Sequence, residues 1–162
     1  MYLWIVLLHI AGAFVFAMSH GVAMWVLIEL PKQRDPRRLA AFVDLSGASL
    51  TGVYLGLLLL LVGGIWAGID RDWFRFAWIW AAIGILVAIV IAMYAIATPF
   101  FKRLRIALGI RAIGYPKDAP DPVPLPDAEI LAIAASSPVA LVGAVGIGGL
   151  LVILWLMVVK PF

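Results

Sequence analysis

Four long apolar runs divide the chain. The first extends from Met1 to about Leu30, where Pro31 and the polar stretch from Lys32 to Arg38 stop it. The second extends from Leu39 to Ile69 and ends at Asp70-Arg71-Asp72; the third extends from Phe74 to Thr98 and ends at Pro99. The fourth extends from Ala128 to Val159. None alternates with the period of two that a barrel strand requires, and each exceeds the ~20 residues with which a helix crosses a bilayer. The pattern predicts an all-α membrane protein, one domain over residues 1–162, with four transmembrane helices spanning about 2–30, 39–69, 74–98 and 128–159. Pro138 predicts a kink in the fourth span, because a proline removes one helical hydrogen bond. Asp127 is the expected N-cap of that span. The first run lacks a basic leader and exceeds the ~7–15 apolar residues of a signal peptide, so it is expected to remain as a span.

Composition agrees with this solvent. Hydrophobic residues make up 65% of the chain and charged residues 13%, against roughly 45–50% and ~25% in soluble domains. Too few polar groups exist to cover a water-facing surface. The absence of cysteine excludes disulfides, thiolate metal sites, iron–sulfur clusters and cysteine nucleophiles. A net charge of +3 is too small to mark a nucleic-acid partner; its placement matters more.

That placement gives an orientation. Lys32, Arg34, Arg37 and Arg38 follow the first span, and Lys102, Arg103, Arg105, Arg111 and Lys117 follow the third. Only Arg71, Arg75 and Lys160 lie on the other side, so nine of the 12 Lys and Arg share one face. By the positive-inside rule, both basic loops are expected in the cytoplasm and both termini outside, in a cell (inner) membrane. Tyr2, Trp4, Trp66, Trp73, Trp78 and Trp155 fall near the outer ends, where an interfacial aromatic belt is expected. Within the cytoplasmic loop, about 99–127, Phe100, Leu104 and Leu108 recur beside Lys102, Arg103 and Arg105. They predict a short basic amphipathic continuation of the third helix lying at the headgroups, either retaining charge on the inner side or touching lipid or a partner. Five prolines between Pro116 and Pro126 then predict an extended strap.

Small residues mark candidate packing faces. Ala48, Gly52, Gly56, Gly64 and Gly68 recur at intervals of four along the second span, interrupted by Leu60; Ala13, Ala17 and Gly21 form a shorter series in the first. Such spacing lets two helices approach closely in lipid, where no hydrophobic force brings them together. The stripe serves either the bundle itself or an interface with another protein.

Two histidines, His9 and His20, both lie in the first span. Eleven residues is nearly three turns, so they share a face about 16 Å apart. An ionisable side chain within a span points to a functional site, and a neutral imidazole can hold a metal or haem. Their separation forbids a shared iron. Met93 is the candidate partner of His20 and Met157 that of His9, for haem b or copper. Glu29 and Asp44 are expected to be solvated or to pair with Arg37 or Arg38. No phosphate-binding loop, nucleophile–base constellation or deep carboxylate pair is present, which removes support for hydrolysis or ion pumping.

The opening Leu8-His9-Ile10-Ala11-Gly12 and the close Leu30-Pro31-Lys32 resemble the Leu-His-x-x-Gly start and Leu-Pro-Arg-like end of helix 1 in the copper-resistance-D-like membrane superfamily. The whole chain looks most like its predicted integral membrane proteins of four spans. That resemblance implies a haem-ligating role for His9, as in the four-helix protoporphyrinogen oxidase of that superfamily, or copper handling. Two functions are therefore expected. One is a non-catalytic helical subunit packing into a larger membrane assembly such as an electron-transfer complex, through other subunits or self-association. The other is a haem b- or copper-binding bundle using His9 and His20.

Overall fold

The computed structural model describes residues 1–162 and contains only helices and connecting segments. α1 (Tyr2–Glu29) and α2 (Pro36–Asp70) are joined by one tight turn, Leu30–Lys32. α2 starts where the Asp35 side chain accepts a hydrogen bond from the Arg37 amide at 2.9 Å, with Pro36 in the first helical position. α3 (Ala77–Ala107) follows a short turn over Trp73–Arg75. The last span is interrupted: α4 (Asp127–Ala135), α5 (Val139–Gly143), a π-helical turn over Ala144–Gly148, and α6 (Gly149–Val159). Counting that interrupted run as one, four helical segments are long and apolar enough to cross a membrane. This is a multi-pass helical membrane protein.

α3 does not stop at Pro99 but continues for two more turns. A proline inside a helix costs about 3 kcal/mol. Beyond it, however, Phe100, Leu104 and Ala107 are buried, and a large apolar side chain taken out of water contributes about 1.5–3 kcal/mol. Two such side chains offset the proline. The basic segment is therefore the end of α3, its apolar side turned into the protein rather than onto a membrane surface. Lys102 and Arg103 remain exposed.

Two cores hold the ends of the bundle. At the basic end, Leu27 and Leu30 of the first hairpin arm meet Leu39 and Val43 of α2, Leu104 of α3 and Ile130 and Ile133 of α4. At the opposite end, Trp78, Ile79 and Ala82 of α3 pack on Leu156 of α6. Trp78 is thus a core residue rather than part of the expected belt. Its neighbour Trp73 lies under the Lys160 ammonium, 4.3 Å from the ring centre, while Arg71 covers the Tyr2 ring at 4.0 Å. Between these cores, α1 lies against α2 along most of its length, and α3 lies against α6.

The acidic side chains find other partners than expected. Glu29 pairs with Lys32 at 2.7 Å, and Asp44 with Arg105 at 3.3 Å, the latter linking α2 to α3. Asp127 sits inside the first turn of α4; Pro126 occupies the cap position and no side chain caps it. Pro138 does more than kink the span. Together with Ser136 and Ser137 it breaks the helix, and the Ser137 hydroxyl donates to the Leu27 carbonyl at 3.1 Å, tying the break to α1. The proline-rich strap is clasped by Arg111, which donates to Asp121 at 2.6 Å and to the Ala119 carbonyl at 2.8 Å.

Candidate functional site

The α1–α2 seam is built on glycine. A Cβ on Gly56 would strike the backbone of Phe16, one on Gly12 would strike the backbone at Leu59 and Leu60, and one on Gly52 would strike the Ser19 side chain. At Gly63 a Cβ would stand 2.7 Å from the His9 nitrogen, and at Gly64 it would stand 2.9 Å from the His9 ring. Gly68 is also needed small, but against Phe74 and Ile79. Ala48 is exposed.

The reason lies in helix geometry. Four residues advance ~400°, so a series repeating every fourth residue slides ~40° per step around the helix. From Ala48 to Gly68 the series therefore wraps through ~200° and cannot face one neighbour. Gly52, Gly56 and Gly64 reach α1, Gly68 reaches the start of α3, and Ala48 looks outward. On α1 the contacting positions are His9, Gly12, Phe16 and Ser19, which alternate by three and four and hold one face. Ala13 is half-buried beside it, Ala17 is exposed, and Gly21 has open space where a Cβ would stand. Gly12 and Gly63 belong to the seam, and the four–three alternation is the signal that finds them.

His9 and His20 occupy the same side of α1 in different surroundings. His9 Nδ1 lies 2.7 Å from the Leu60 carbonyl oxygen. A carbonyl can only accept, so Nδ1 carries a proton and donates it to this bond. His20 stacks on Phe16, the rings 5.6 Å apart and 5° from parallel. Its Nε2 is the one buried side-chain polar atom in the protein without a hydrogen-bond partner. In front of it stand Gly146, in the π-helical turn, and Met93 of α3. A Cβ on Gly146 would meet Met93 Cε at 2.9 Å and His20 Nε2 at 3.1 Å. The structure thus brings His20 and Met93 together across three spans, with Gly146 as the missing third member. Met157 packs with the core at the far end.

Haem does not fit around His20. A porphyrin needs a flat slot on the open side of an imidazole nitrogen, whereas Gly146 and Met93 close over His20 Nε2. The ring of His9 is pressed onto Gly64, and the cavity of about 690 Å³ at the basic end touches neither histidine.

A second feature lies on the outside of α2. Asp44, Gly47, Ala48, Thr51 and Tyr54 form one exposed face in the half of the helix nearer the basic end. Farther along the same helix the exposed residues are Leu58, Leu61, Val62, Ile65 and Trp66. The outer half of α2 thus presents an apolar surface, whereas the inner half sets Asp44, Thr51 and Tyr54 beside the exposed Leu45 and Leu55. Comparisons of the chain with protein-family models, with curated proteins and with solved structures return no match.

Proposed function

We propose that this chain is a non-catalytic helical subunit that packs into a larger membrane assembly, with another membrane helix seated on the inner half of α2. The observation that carries the proposal is Tyr54, 66% exposed and ten residues, or about 15 Å, along the axis from Asp44. Neither Tyr54 nor the neighbouring Thr51 hydroxyl takes part in a hydrogen bond within the chain. Lipid tails offer no partner to a hydroxyl, whereas a neighbouring helix does. Gly47 and Ala48 leave room for such a helix to come close. The glycine stripe that first suggests an outside interface supports the inner hairpin instead, so the partner's surface moves to the opposite side of α2. Charge placement supports a cytoplasmic position for both basic loops.

The test is the mass of the species extracted in mild detergent. Wild type should run well above the 17.5 kDa of one chain, and the double substitution Ala48→Leu, Thr51→Leu should release the monomer without unfolding it. A monomeric wild type counts against the proposal.

A second reading rests on His20. An unpaired imidazole nitrogen in a membrane interior is costly, and π-helical turns such as 144–148 recur at functional positions. His20 Nε2 and the Met93 thioether would hold a soft monovalent cation such as Cu(I), which accepts nitrogen and thioether donors. Bound there, the ion would satisfy the imidazole and link α1 to α3. The resemblance of helix 1 to copper-handling membrane proteins points the same way but falls on His9, whose Nδ1 is already committed to Leu60.

A further inference from the structure

The cavity of about 690 Å³ at the basic end lies between the last turns of α3, the proline-rich strap and α4. Pro99, Ile106 and Leu125 supply apolar wall; Lys102, Arg103 and Glu129 supply charge. These three charged side chains are exposed, and none of them is among the five ion pairs of the chain. Elsewhere at this end Arg105 pairs with Asp44, Arg111 with Asp121 and Lys32 with Glu29, while Arg34, Arg37, Arg38 and Lys117 form no ion pair but do not line this cavity. Two cations and one carboxylate therefore border a single half-apolar space with their charge unspent. Glu129 stands in the first turn of α4.

Depth fixes what can reach this space. Lys102 is 25 residues beyond Ala77, the start of α3, or about 38 Å along the axis, against ~30 Å of hydrocarbon. Pro99 and Ala132 lie toward the apolar side and Lys102 and Arg103 at the headgroup level. A molecule filling the cavity must present an anion to Lys102 and Arg103, a hydrogen-bonding cation to Glu129, and hydrocarbon to the wall below.

We propose that this cavity is a binding site for a membrane glycerophospholipid whose headgroup carries a primary amine beside its phosphate. Lys102 and Arg103 hold the phosphate, Glu129 accepts from the ammonium, and an acyl chain lies against Pro99 and Ala132. Basic pockets at this level of a bundle suit lipid phosphate; the carboxylate adds selection for an N–H donor over a quaternary amine or a neutral headgroup.

Native mass spectrometry of the full-length protein in detergent, titrated with phosphatidylethanolamine, phosphatidylcholine or phosphatidylglycerol of matched chains, tests this. Wild type should prefer the ethanolamine lipid to the choline lipid by about tenfold, the worth of one charge-assisted hydrogen bond. Glu129→Gln should abolish that preference while leaving choline-lipid affinity unchanged. Lys102→Ala with Arg103→Ala should weaken the ethanolamine lipid by about 30-fold, at roughly fivefold per cation, and Arg37→Ala with Arg38→Ala should not. All three sets alter exposed side chains, and a thermal melt confirms that each variant is folded. Equal retention of the ethanolamine and choline lipids, stronger binding of the glycerol lipid, or displacement by millimolar inorganic phosphate would each overturn the proposal. The last result would assign the cavity to a free phosphate compound.

Discussion

His9 Nδ1 donates to the Leu60 carbonyl across 2.7 Å, bridging residues 51 apart in sequence and fastening α1 to α2. The bond uses a carbonyl already inside α2, so it adds a link without opening the helix. Removing it in His9→Leu should lower stability by about 1 kcal/mol, a typical value for one such bond between membrane helices. His9→Asn, which keeps a donor on a short side chain, should recover part of the loss. Thermal melts in detergent provide the comparison; equal melting of His9→Leu and wild type would mean the bond carries no weight.

Two glycines separate close packing from mere smallness. Gly56→Ala drives a methyl into the Phe16 backbone and should destabilise by about 1–3 kcal/mol, the usual cost of overpacking. Gly21→Ala enters open space and should be neutral or gain up to about 1 kcal/mol through helix propensity. Equal effects from the two would contradict the seam.

Long-period features of this fold were legible from the chain, and rotational ones were not. Apolar runs far exceeding a span announced four crossings because hydropathy averages over turns. Strict spacing by four misled at Ala48 and Gly21, since each step slides around the helix and only the alternation at His9, Gly12, Phe16 and Ser19 holds one face. The helical continuation past Pro99 is legible from the spacing of Phe100, Leu104 and Leu108, whereas the burial of Phe100 and Leu104, which keeps it off the headgroups, depends on α1, α2 and α4. Met93 and His20 lie at similar depths in their spans, which makes their proximity legible. Gly146 and the π-helical turn around it have no local sequence signal, because a single inserted residue in a glycine-rich run leaves the composition unchanged.

Orientation is open to direct measurement. Single cysteines at Gln33 and Asp121, in the two basic loops, should resist a membrane-impermeant thiol reagent in intact cells, and a cysteine at Asp72 should react. Labelling at both basic loops, with protection at Asp72, would invert the topology.

The unpaired nitrogen of His20 gives a signed prediction. Metal-free His20→Leu should be more stable than wild type by about 1–3 kcal/mol, the cost of a buried unsatisfied group. Cu(I) titrated under reducing conditions against a chromophoric competitor should bind wild type at one equivalent and raise its melting temperature. His20→Leu should take up none, and Met93→Leu should bind more weakly. Absence of uptake by wild type, or unchanged uptake by His20→Leu, would remove the ion.

The partner helix is tested most directly by site-specific photo-crosslinking in native membranes. A photoreactive phenylalanine analogue at Tyr54 should give one discrete crosslinked band containing a second membrane polypeptide, and Ala48→Leu with Thr51→Leu should abolish it. The same analogue at Leu61, on the lipid-suited half of α2, should give lipid adducts only. If Tyr54 likewise yields nothing but lipid adducts, the inner half of α2 faces the bilayer and the chain does not use that face to join an assembly.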